Sequence, residues 1–148
     1  EITMVGSAYL PDEYISDSGQ KLHLYRRLSK LVLLSEVDSL REELVDRFGE
    51  PPQNVEHLLQ ATSLRILGRK IGVERILVRE HEARINFLPS VVPRLAVLEG
   101  PLRDRDVDVE VRRMTPLSVV LRQREPNELI STLISALTAL LDTQSSRV

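Results

Sequence analysis

Residues 35–52 read SEVDSLREELVDRFGEPP, and this stretch decides how the first half of the chain folds. Val37, Leu40, Leu44 and Phe48 recur at helical spacing, which places four apolar side chains on one face. Ser35 followed three residues later by Asp38 has the spacing of a capping box and predicts a helix start at Ser35. Gly49 stands where a left-handed stop is needed, and Pro51 and Pro52 prevent the helix from continuing.

The neighbouring segments follow the same logic. Upstream, Leu24, Leu28 and Leu31, with Tyr25 beside them, predict a helix over 20–34. Before it, residues 1–10 read as an extended segment whose strand spans 2–8, closed by Pro11, Asp12 and Glu13. Tyr14 and Ile15 form a short apolar anchor ahead of a turn at 16–19. Downstream, Pro52 suits the first turn of a third helix, where its missing N–H costs nothing. Val55, Leu58, Leu59, Thr62 and Ile66 line that helix and Gly72 ends it.

Beyond Gly72 the period changes. Residues 73–79 and 83–88 alternate as strands, joined by a polar turn at Glu80, His81 and Glu82. Residues 90–98 read as a short helix capped by Ser90 and stopped by Gly100. Val107, Val109 and Val111 alternate with Asp106, Asp108 and Glu110, and a partner strand is expected over 116–121. A last helix over 126–142 carries Leu129, Leu133, Leu137, Leu140 and Leu141, followed by a polar tail at 143–148. The expected fold is α+β: an N-terminal strand, three helices, then hairpin, helix, hairpin, helix. The change at Gly72 divides this single 148-residue domain into two lobes, 1–72 and 73–148.

Composition narrows the function classes. With 3% aromatic residues, few rings are present for bases to stack on, and the net charge of −2 lacks the basic excess of a phosphate-binding domain. There is no Cys, which removes disulfides, thiolate metal sites and thiol nucleophiles, and fits a reducing cytoplasm. The apolar run at 129–141 is too short to span a bilayer and is broken by Ser and Thr, so a soluble protein is expected. The chain opens on Glu1 at the start of a strand, which reads as a piece cut from a longer protein or a processed product.

Motifs for catalysis are lacking. No glycine-rich loop precedes a Lys-Ser/Thr pair; Leu67-Gly68-Arg69-Lys70 lies within a helix, so no ATP hydrolysis is expected of this segment. His23, His57 and His81 show no metal-ligand spacing, and no GxSxG elbow occurs. Neither a catalytic residue, a cofactor nor a metal is expected. The polar feature with a functional reading is an acidic stripe on the second helix: Glu36, Glu43, Asp46 and Glu50, with Arg47 at its edge. Such a stripe is either a solvated face or a docking strip for a basic surface.

Four ordered blocks carry a resemblance: Tyr9 to Ile15 (YLPDEYI), Tyr25 to Leu28 (YRRL), Glu43 to Gly49 (ELVDRFG) and Leu64 to Gly72 (LRILGRKIG). Their order and spacing resemble the C-terminal domain of bacterial transcription-repair coupling factors, strongly over 2–76 and loosely beyond. The resemblance implies a parent that recognises stalled RNA polymerase, translocates on duplex DNA with ATP and recruits the excision-repair damage sensor. It implies that this domain is a non-catalytic, autoinhibitory clamp on the parent's N-terminal damage-sensor-binding module. It further implies that Glu43 and Asp46 make part of that contact; Arg47 at the stripe's edge is included with them, and the helical spacing of the stripe adds Glu36 and Glu50. Two alternatives stand beside it. One is a stand-alone interaction module; the other is a nucleic-acid-binding domain using Arg26, Arg27, Lys30, Arg65, Arg69 and Lys70.

Overall fold

The structure, a computed structural model, describes residues 2–4 and 8–145; residues 5–7 of the expected first strand and 146–148 of the expected tail lie outside the described residues. The fold is α+β, and the chain forms two compact units, Gly6–Ile66 and Glu1–Val5 with Leu67–Val148. The division therefore falls between Ile66 and Leu67, ahead of the change of period at Gly72, and the first strand belongs with the later residues.

The helical unit begins with a turn in which Pro11 O accepts from the amides of Tyr14 and Ile15, both at 3.0 Å. Helix α1 spans Ser18–Lys30 and α2 spans Leu34–Phe48. Helix α3, Gln53–Ile71, starts in this unit. Leu24 and Leu28 of α1, Val37, Leu40 and Leu44 of α2, and Val55, Leu59 and Ile66 of α3 form one core with Leu10 and Ile15. The 3.6-residue periodicity thus reports the buried faces correctly.

Helix ends differ from expectation, for reasons visible in the hydrogen bonds. Helix α1 starts earlier because the Asp17 carboxylate accepts from the Gln20 amide at 2.9 Å, a side-chain N-cap. It stops at Lys30 because Leu31 turns extended, with ψ 136°. The Arg65 guanidinium donates to the carbonyls of Leu28 (2.8 Å) and Leu31 (3.1 Å), supplying donors to the α1 C-terminus. Helix α2 begins one residue before Ser35, with Leu33 at the cap position, so the expected Ser35–Asp38 box is not formed. Instead Glu36 reaches back to accept from the amides of Leu33 (2.9 Å) and Val32 (3.1 Å).

Among the described residues the sheet unit holds five strands in the order β1-β2-β3-β5-β4. These are β1 (Ile2–Met4), β2 (Val73–Val78), β3 (Glu82–Phe87), β4 (Val107–Arg112) and β5 (Ser118–Gln123). β1 runs parallel to β2, and every other pairing is antiparallel. Registers Ile76↔Ile85, Ile85↔Val119 and Val119↔Val111 place these residues on one face. The last helix, α5 (Pro126–Ser145), packs against β3 and β5 with Leu129, Leu133, Leu137 and Leu140 buried.

A buried polar network fixes α5 on that face. Thr132 is fully buried; its hydroxyl donates to Gln123 Oε1 at 2.7 Å and accepts from Arg105 Nη1 at 3.0 Å. Arg105 Nη2 also reaches the Ser135 hydroxyl at 3.1 Å. The helix expected over 90–98 is a correction: the backbone stays non-helical through Arg94, a 3-10 turn forms at Leu95–Leu98, and α4 covers Glu99–Leu102, running through Gly100. Pro93 explains this, because it offers no N–H and disfavours helical geometry at Val92 before it.

Gly72 terminates α3 with φ +94°, and its amide donates to Gly68 O at 3.0 Å. A Cβ at Gly72 would stand 2.4 Å from Val91 Cγ2, so both conformation and space require glycine there.

Candidate protein-interaction surface

Helix α2 carries the residues singled out by the acidic stripe, and the helical core determines which way they face. With Val37, Leu40 and Leu44 buried, the opposite side of the helix meets solvent. The expected stripe resolves into four different situations. Glu36 is engaged in capping its own helix. Glu50 lies beyond the helix, past Gly49 at φ +87°, where it stands 3.7 Å from Arg41 Nη2. It is therefore not part of a helical stripe, because the glycine turns the chain away from the helix path.

Glu43 is half-buried and paired. Arg27 from α1 donates to it, and Arg47 one turn on stands at 3.6 Å. The Arg27 hydrogen bond, with smaller contributions from the charges of Arg27 and Arg47, holds its carboxyl below the usual carboxylate range. Arg47 also lies over the Phe48 ring, 5.0 Å from its centroid, and Phe48 packs against Tyr14 with ring centroids 5.7 Å apart. Asp46 differs from all of these. Its carboxylate is exposed and makes no ion pair or hydrogen bond with any described residue.

The structure therefore brings Glu43, Arg47 and Arg27 into one charge array with Asp46 a turn away, while Glu36 and Glu50 serve local roles. Two further acids of α2 lie outside the expected stripe. Asp38 and Glu42 are exposed and unpaired among the described residues, and with Asp46 they form an i, i+4, i+8 row. That spacing was visible in the sequence. The Arg27–Glu43 pair was not, because the partners are 16 residues apart on different helices.

The basic residues named for nucleic-acid binding are partly committed elsewhere. Arg27 pairs with Glu43, and Arg65 donates to the α1 carbonyls. Arg26, Lys30, Arg69 and Lys70 are exposed. Among the described residues, no three His, Asp or Glu side chains are placed to hold a metal ion, and no helix is long and apolar enough to cross a membrane.

These features define an α+β domain whose helical unit presents a pre-organised, mixed-charge surface beside a row of acids unpaired among the described residues. The TRCF domain model matches residues 5–96. The chain belongs to the TRCF domain family. It is 40% identical over 85 residues to the transcription-repair-coupling factor of Myxococcus xanthus, covering 53% of this chain and 7% of that protein. It is 25% identical over 153 residues to the transcription-repair-coupling factor of Bacillus subtilis (strain 168), covering 100% of this chain and 13% of that protein. The crystal structure of the C-terminal domain of a transcription-repair coupling factor superposes with a TM-score of 0.87 at 26% identity, covering 100% of this chain and 95% of that one. The chain thus spans only 7% and 13% of these two full-length relatives, and the matched region is the C-terminal domain, not a catalytic ATPase domain.

Proposed function

We propose that this domain is a non-catalytic docking module that restrains its parent, an ATP-driven DNA translocase coupling DNA repair to stalled transcription. In this reading α2 docks on the parent's own N-terminal damage-sensor-binding module, and RNA polymerase, duplex DNA and the damage sensor are partners of the whole protein. The observation that carries it is the exposed, unpaired Asp46 carboxylate beside the Arg27–Glu43–Arg47 array. A fixed array offers a basic partner a carboxylate without the entropy of ordering long side chains. Each exposed ion pair is worth under about 1 kcal/mol, so a contact of this kind forms and releases readily. Tethering in one chain supplies the effective concentration that makes weak pairs sufficient.

The test is calorimetric titration of this domain with the separately expressed N-terminal module at two salt concentrations. Asp46→Ala and Glu43→Ala/Asp46→Ala are titrated alongside, with folding checked by circular dichroism. Salt-sensitive binding that Asp46→Ala alone weakens supports the docking. Binding of undiminished strength in the folded double variant would move the contact off α2. The nucleic-acid reading is less favoured, because Arg27 and Arg65 already have partners within the helical unit. A steep salt-dependent affinity for duplex DNA in the isolated domain would revive it.

A further inference from the structure

The sheet unit has an open edge of its own, and this inference does not rest on the docking of α2. Strand β4 ends the sheet order, with β5 on one side and, among the described residues, no strand on the other. Its outward groups follow from the ladder. The Gln123 amide donates to His81 O and the Phe87 amide to Leu117 O, both at 3.0 Å, so odd-numbered residues of β5 bond toward β3. Even-numbered residues of β5 then bond toward β4, where their partners are Asp108, Glu110 and Arg112. Val107, Val109 and Val111 are left with their backbone groups aimed at the open edge. The Val107 amide is already taken by Arg105 O at 2.9 Å, which leaves Val109 and Val111 as the two-sided pairing positions.

The side chains on either side of that edge differ sharply. The valines share a face with a groove of about 380 Å³ lined by Leu95, Leu98, Leu102, Val109 and Val111 together with Glu99 and Arg103. Val109 is 44% exposed, unusual for a valine beside three leucines. On the opposite face and leading into the strand, Asp106 and Asp108 are exposed and have no partner among the described residues, whereas Glu110 is held by Arg112 and Arg122.

We infer that β4 accepts an extended peptide segment of a partner protein as a sixth, antiparallel strand. Its alternate apolar side chains enter the leucine-lined groove and its basic side chains face Asp106 and Asp108. Strand addition of this kind takes affinity from main-chain hydrogen bonds and selectivity from alternate side chains. Charge selects the occupant. Two copies of β4 paired antiparallel about Val109 would set Asp108 against Glu110 of the other copy, a like-charge contact, whereas a Lys or Arg there is complementary.

The probe is a fluorescein-labelled heptapeptide, Ser-Val-Thr-Val-Lys-Val-Lys, whose valines oppose Val111, Val109 and Val107 and whose lysines fall opposite Asp108 and Asp106. Anisotropy titration of the intact domain should show saturable binding. N-methylation of the first two peptide valines should weaken it more than tenfold, and so should Val109→Lys in the protein. Asp108→Lys should weaken it severalfold and improve binding of the same peptide with Glu in place of Lys. Equal binding of the N-methylated or a scrambled peptide would overturn the inference. So would a concentration-dependent doubling of mass that Val109→Lys abolishes, since the edge would then belong to a second copy.

Discussion

The Tyr14 hydroxyl donates to the carbonyl of Gly49 at 2.7 Å and also reaches Leu44 O at 3.2 Å. One side chain thereby ties the apolar anchor ahead of α1 to the C-terminus of α2, where unsatisfied carbonyls collect. Tyr14→Phe keeps the ring contact with Phe48 and removes only these bonds, so it should cost about 1 kcal/mol in urea unfolding. Burial, with the nearby Glu50 charge second, pushes the phenol up from its usual value. Its stabilisation is then fully present below the unfolded pKa near 10 and lost as pH rises through the higher folded value. Tyr14→Phe should show a shallower alkaline loss of thermal stability over that range.

Asp46 and Glu43 should separate stability from docking. Asp46→Ala touches no described partner and should change unfolding free energy by less than about 0.5 kcal/mol. Glu43→Ala releases Arg27 and Arg47, and because all three side chains are partly solvated the loss should stay under about 1 kcal/mol.

Glu43 also makes an acid-side prediction. Its pKa is lowered mainly by the Arg27 hydrogen bond, so its contribution is present above the unfolded value near 4.5 and lost as pH falls through the lower folded value. The melting-temperature difference between the unsubstituted domain and Glu43→Gln should be full above about pH 6 and shrink steadily as pH falls below about 4.5.

Two glycines with positive φ should respond unequally to alanine. At Gly49, φ is +87° and a β-methyl would meet nothing within 4 Å, so Gly49→Ala should cost about 1 kcal/mol of backbone strain alone. Gly72→Ala adds a collision at 2.4 Å with Val91 to comparable strain, and thermal unfolding should show a loss of about 2–4 kcal/mol.

Thr132→Val should be costly despite the matched shape. It strips Gln123 Oε1 of its 2.7 Å donor and Arg105 of an acceptor inside a buried network. A loss of about 1–3 kcal/mol by chemical denaturation is expected.

Most of the architecture was legible locally. Leu24 and Leu28, Val37 through Leu44, and Val55 through Ile66 announced their buried faces by period alone, and Gly49 and Gly72 announced where helices stop. The misreadings have local causes as well. At Ser35 a hydroxyl competed with Glu36 for the capping role, and at 90–98 the apolar period outweighed Pro93. The candidate site was legible only in part: the sequence offered a stripe of four equivalent acids, and the fold gave each a different task.

By itself the sequence determined the main apolar faces of the helices and strands, because those faces follow the fixed repeat of helix and strand. The tertiary structure alone decided that β1 lies parallel beside β2, that β5 inserts between β3 and β4, and that β4 ends the sheet among the described residues. It also decided that Arg27 claims Glu43 while Asp46 stays unpaired among the described residues. The reason is range. Periodicity is set by neighbours within a turn or two, whereas strand order and ion pairing depend on which distant residues come within a few ångströms once the core has closed.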